Sequence, residues 1–126
     1  MDFITLVCYR RDSHSEIALV MNPKIAVFGA GTSGQSVAEL AGAEGSTVTL
    51  FDEHKAGFPS TFSSEDIENF DQYIFSPGFA CGHPWRKLLE GREAVYGELG
   101  FSAERWRGRL YGVTGTNGKT TVTRLL

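Results

Sequence analysis

The chain has 126 residues, 41% of them hydrophobic and 21% charged, with a formal net charge of -3. This suits one ordinary globular domain and provides no overall attraction to nucleic acid. No apolar stretch is long enough to span a bilayer, and Cys8 and Cys81 share no metal or redox spacing, so a reducing, cytoplasmic setting is expected.

In chain order, "FITLVCY" (Phe3 to Tyr9) reads as a short strand and "IALVM" as a second, on either side of the polar "RRDSHSE". There is no basic region before the first run and no small-residue cleavage site after it, so no secretory signal is expected. Residues 1–22 fit the rest poorly. Residues 1–20 are expected to be an upstream extension, with Met21 as the natural start; the alternative is a genuine extra strand or hairpin.

From Lys24 the chain alternates strands and helices. "KIAVF" is a continuous apolar run ending at glycine, as a buried parallel strand should be. A helix is predicted from about Ser33 to Glu44, with Val37, Leu40 and Ala41 on one face and Gly45 stopping it. "TVTLF" is a second strand ending at Asp52. "SEDIENF" suggests a short helix capped by Ser63 or Ser64. "QYIFS" is a third strand, and "HPWRKLLEG" a helix with Pro84 near its start and Gly91 at its end. "AVYG" is a fourth strand, "ELGFSAERW" a helix and "RLYGVTG" a fifth strand. Arg105, Arg107 and Arg109 read as a solvated basic run. The order predicts an α/β fold, a Rossmann-like parallel sheet with helices on both faces, over residues 23–108.

Chemistry in such a sheet belongs at the carboxyl ends of its strands. The loop "GAGTSG" sets Gly29, Gly31 and Gly34 in G-x-G-x-x-G spacing between a strand and a helix. The glycines permit a tight turn, close approach of a diphosphate, and packing of helix on strand, while the helix N-terminus faces the anion. Asp52, ending the next strand, stands at the spacing at which an acid meets a ribose hydroxyl. NAD and UDP-linked ligands satisfy the same physics. "SPG" (Ser76 to Gly78) reads as a type II turn with Gly78 at positive φ, beside the glycine loop; Ser76 and the Gly78 N–H are within reach of a phosphate there. His83, before Pro84, reads as a helix-start residue.

"GVTGTNGKTT" runs from Gly112 to Thr121. A strict Walker A pattern needs glycine at position 113, where Val113 stands. The chemistry survives: Gly115 and Gly118 leave N–H groups open to phosphates, Lys119 reaches the outer phosphates, and Thr120 offers a hydroxyl to Mg²⁺.

"VFGAGTSGQS", Asp52, "SPGFACGHP" and "GVTGTNGKTTVTRLL", in that order, resemble the Mur ligase superfamily, in particular the branch whose first domain carries "SPG…HP". The resemblance runs from Lys24 to Leu126. It implies a UDP-binding first domain, then over residues 109–126 the first strand and P-loop of a central domain binding ATP and Mg²⁺. By position, it places Gly29, Gly31, Thr32, Ser33 and Gly34 against the UDP. Asp52, Glu53 and His54 fall near the uridine, where the family often has arginine in place of His54, and Ser76, Pro77 and Gly78 border the diphosphate. Gly115, Thr116, Asn117, Gly118, Lys119, Thr120 and Thr121 would hold ATP, with Lys119 as the catalytic residue and Thr120 on the metal. The implied reaction joins D-glutamate to UDP-N-acetylmuramoyl-L-alanine through an acyl phosphate, for peptidoglycan synthesis, in an enzyme that is monomeric at full length. On that resemblance the chain is expected to hold the first domain and the start of the next, and to be without ligase activity alone. The rival expectations are a free-standing NAD- or UDP-sugar-binding module and a small P-loop NTPase.

Overall fold

A computed structural model describes residues 4–9, 22–115 and 117–125, with 4–9 and Val122 described by backbone alone. The suggested strand "IALVM" and Thr116 lie outside the described residues. The elements are β1 (Ile4–Tyr9), β2 (Lys24–Phe28), α1 (Thr32–Ala43), β3 (Thr47–Phe51), a 3₁₀ turn (Ile67–Asn69), β4 (Gln72–Phe75), α2 (Pro84–Leu88), β5 (Val95–Gly97), α3 (Glu98–Arg105), β6 (Leu110–Gly115) and α4 (Lys119–Leu125). They fall into two compact units, Ala18–Ser102 and Met1–Ile17 with Ala103–Leu126.

The larger unit is an α/β layer built on a parallel sheet of four strands in the order β3-β2-β4-β5. Its central strand explains the layering. Successive side chains of a strand point to opposite faces, so β2 serves two cores. Ile25 and Val27 join Val37 and Ala41 of α1, Ile74 of β4 and Phe101 of α3. Ala26 and Phe28 join Phe51, Phe62, Ile67, Tyr73, Phe75, Trp85 and Leu89 on the other face. A strand buried on both sides must be apolar throughout, which is why "KIAVF" does not alternate. Phe28 is the hub of the second core. Its ring lies 4.3 Å from Phe75 in a stack, 4.9 Å from Phe62 edge-on and 5.4 Å from Trp85. The Tyr73 hydroxyl contacts the Ile67 and Phe70 carbonyls, so the 3₁₀ turn is tied beneath β4.

Four details differ from the sequence reading. The segment "RLYGVTG" is a strand, but it is not a fifth member of this sheet. As β6 it pairs antiparallel with β1 in the smaller unit, from Ile4 opposite Gly115 to Tyr9 opposite Leu110. "SEDIENF" forms only the 3₁₀ turn Ile67–Asn69. Asp66 Oδ2 there accepts both the N–H and the hydroxyl of Ser63, so the serine closes a turn instead of capping a helix. Leu40 does not share the buried face of Val37 and Ala41; it is exposed. Gly78 is not among the residues of positive φ, so the Ser76–Phe79 turn, closed by Phe79 N–H to Ser76 O at 3.1 Å, is not type II.

In the smaller unit β6 ends at Gly115, Gly118 sits at φ +78°, and Lys119 opens α4. Lys119, Thr120 and Thr121 are exposed. Among the described residues no helix is long and apolar enough to cross a membrane.

Candidate functional site

The carboxyl ends of β2, β3 and β4 lie side by side because their registers align Phe28 with Phe51 and Phe75. The loops that follow these strands therefore meet. Gly29 turns the chain out of β2 at φ +108°, a region that favours glycine, and a Cβ there would lie 2.5 Å from Ser76 Oγ. Gly34 is needed for another reason. A Cβ on it would come within 1.8 Å of the Gly29 carbonyl oxygen, so only hydrogen lets α1 start this close to β2. Gly31 is the contrasting case, since nothing lies within 4 Å of its missing Cβ. It is the N-cap of α1, and no side chain caps that helix. The first-turn N–H groups and the positive end of the dipole thus stand beside open space, which suits an anion.

Asp52 holds this loop to the end of β3. Its Oδ2 accepts the Ala30 N–H at 2.9 Å, and its Oδ1 accepts the N–H groups of His54 and Lys55, each at 2.9 Å. The Ala30 bond foremost, then those of the 52–55 turn, keeps the Asp52 carboxyl below the usual carboxylate range. Lys55 Nζ and Gln35 Nε2 both donate to the Ala30 carbonyl at 2.8 Å. Lys55, absent from the sequence reading, thereby brings a cation to the glycine loop.

The "SPG" turn joins from β4. Ser76 N–H donates to Phe28 O at 3.0 Å, and the Ser76 hydroxyl donates to Glu98 Oε1. Ser33, in the first turn of α1, donates its hydroxyl to the same oxygen at 3.2 Å. Glu98 is a buried charged residue among these loops, and sequence reasoning passed over it. The signal was available: Glu98 follows β5 directly, at the same sheet edge as the other loops. Ser33, Ser36, Val37, Leu40, Pro77, Glu98, Leu99 and Ser102 line a groove of about 490 Å³ here.

His83 fills the helix-start role expected of it. Its Nδ1 accepts the Trp85 N–H at 3.1 Å, leaving Nε2 as the protonated nitrogen, 3.0 Å from Glu53 Oε2. Glu53 is thus tied to the "HP" loop, while His54 lies exposed in the 52–55 turn. The structure brings together Gly29, Gly31, Thr32, Ser33, Gly34, Asp52 and Ser76, with Pro77 on the groove wall. The Gly115–Thr121 stretch belongs to the smaller unit. Among the described residues no three His, Cys, Asp or Glu side chains gather to hold a metal.

No family profile matches the chain, and no solved structure matches it. Curated proteins do. The UDP-N-acetylmuramoylalanine–D-glutamate ligase of Aquifex aeolicus is 33% identical over 103 residues, which are 81% of this chain and 24% of that protein. The protein of the same name from Leuconostoc mesenteroides is 33% identical over 122 residues, 83% of this chain and 27% of its own length. That from Protochlamydia amoebophila is 42% identical over 62 residues, 48% of this chain and 14% of its length. Over about four fifths of its own length the chain is similar to UDP-N-acetylmuramoylalanine–D-glutamate ligases. It spans about a quarter of the length of the first two relatives. The match supports the Mur ligase resemblance over a free-standing nucleotide-binding module.

Proposed function

We propose that the parallel-sheet unit holds the uridine diphosphate end of UDP-N-acetylmuramoyl-L-alanine. The activity it serves is then the ATP-dependent joining of D-glutamate to that molecule, in peptidoglycan synthesis in the cytoplasm. One observation carries the first part: the uncapped start of α1 opens onto space at Gly31, within a cluster drawn from three strand ends. Thr32, Ser33 and Gly34 would present N–H groups to the diphosphate, and Pro77 and Gly78 would border it. Asp52, Glu53 and His54 would lie toward the uridine. Lys55 adds positive charge at the loop.

The "GTNGKTT" stretch fits a nucleotide triphosphate in its chemistry. A strand ends at Gly115, Gly118 adopts the left-handed region, and the exposed Lys119 and Thr120 open a helix. Gly115, Thr116, Asn117, Gly118, Lys119, Thr120 and Thr121 would hold ATP, and the Thr120 hydroxyl would meet Mg²⁺. When bound, ATP would supply the phosphoryl group that activates a carboxylate for amide formation. Lys119 would offset negative charge on the phosphates.

The test is titration of the full chain with UDP and, separately, with NAD, following backbone amide shifts. UDP should saturate and move the amides from Gly29 to Gly34. Saturation by NAD with no response to UDP would overturn the reading.

A further inference from the structure

Ser33 and Ser76 carry one hydroxyl proton each, and both protons point at Glu98 Oε1. Ser33 belongs to the glycine loop's helix and Ser76 to the turn after β4, so one carboxylate oxygen joins the two walls of the candidate site. Glu98 itself is fixed by its position. It is the first residue of α3, directly after the last residue of β5, and it is buried.

We propose that Glu98 is a positioning residue that sets the ligand-facing chemistry of this site: by taking both serine hydroxyl protons it turns Ser33 and Ser76 from phosphate donors into acceptors, and its charge opposes the diphosphate. The inference rests on the UDP reading above. It follows that the diphosphate is met by backbone N–H groups and by the cation of Lys55. The serine oxygens keep lone pairs for a donor, such as a sugar hydroxyl. A carboxylate near a diphosphate costs Coulomb energy in a partly buried setting, and the two hydrogen bonds that lock the loops together offset it.

The experiment compares UDP with uridine, which lacks the phosphates, by NMR titration of the wild-type chain and of Glu98→Gln and Glu98→Asp. Glutamine keeps an acceptor for both serines and removes the charge. It should bind UDP roughly three- to tenfold more tightly, as expected for removing one like charge at partly screened range, with uridine affinity unchanged. Aspartate keeps the charge but is one methylene short of the bridge, so both ligands should weaken together. A glutamine variant that binds UDP no more tightly, or gains equally for uridine, overturns the charge assignment. An aspartate variant that binds both ligands like wild type overturns the bridge. A wild-type chain that binds no UDP overturns the nucleotide reading instead, and this proposal with it.

Discussion

The Asp52 carboxylate reaches across 22 residues of chain to take the Ala30 N–H at 2.9 Å. With the His54 and Lys55 N–H groups on its other oxygen, it joins the glycine loop to the turn after β3. Asp52 thus organises the loop by its own hydrogen bonds, whatever it offers to a ribose.

Asp52→Asn should therefore destabilise the larger unit by about 1–3 kcal/mol, the scale of losing hydrogen bonds to a charged acceptor. The wild-type contribution has a definite sign with pH. The folded state holds this carboxyl below its ordinary range, so the stabilisation is full above the unfolded pKa and is lost as pH falls through the lowered folded value. Urea denaturation from neutral to acid pH should show the gap between wild type and Asp52→Asn closing at the acid end. A gap that stays constant with pH would contradict this account.

Two glycines of one loop should respond in opposite ways. Gly34→Ala puts a methyl 1.8 Å from the Gly29 carbonyl oxygen, so the backbone must move. It should cost about 3 kcal/mol or more, at the upper end of overpacking. Gly31→Val enters open space at a φ of -72°, so the thermal midpoint should barely change. Its side chain should still obstruct a diphosphate, lowering UDP affinity at least about tenfold, or 1.4 kcal/mol. Thermal melts and UDP titrations of both variants separate fold from site. Unaltered UDP binding by Gly31→Val would remove the ligand from this loop.

His83 caps α2 with Nδ1 and holds Glu53 with Nε2. His83→Ala should cost about 0.5–2 kcal/mol, as for loss of an N-cap. His83→Asn, which can still accept the Trp85 N–H, should recover part of that loss without recovering the Glu53 contact. Chemical denaturation distinguishes the two; equal losses would show that the cap contributes nothing.

Phe28→Ala removes the ring around which Phe51, Phe62, Phe75 and Trp85 gather. The expected loss is about 3–5 kcal/mol, as for large-to-small changes in a packed core. Trp85 fluorescence during urea unfolding offers a direct readout, and a loss below about 1 kcal/mol would mean that the cluster repacks around the gap.

The amino-acid sequence by itself determined most of the strand and helix pattern from Lys24 onward, the parallel α/β class and the glycine loop. Each rests on local physics: the buried run of "KIAVF", the helix stop at Gly45 (φ +93°), and the proline-led start of α2. The resemblance carried by four short motifs was legible for the same reason, because each motif is local. The tertiary structure alone decided the rest. Whether "RLYGVTG" joined the parallel sheet or paired with β1 depended on hydrogen-bond partners far away in the chain, and strand propensity does not specify partners. Glu98, passed over in the sequence, acquired its partners only because β5 delivers it to Ser33 and Ser76. Leu40 has the helical spacing of a core residue, but burial depends on what packs against a face, and that face borders the groove. Spacing along the chain sets which residues lie on one side of an element; only the assembled sheet edge sets which side chains meet there.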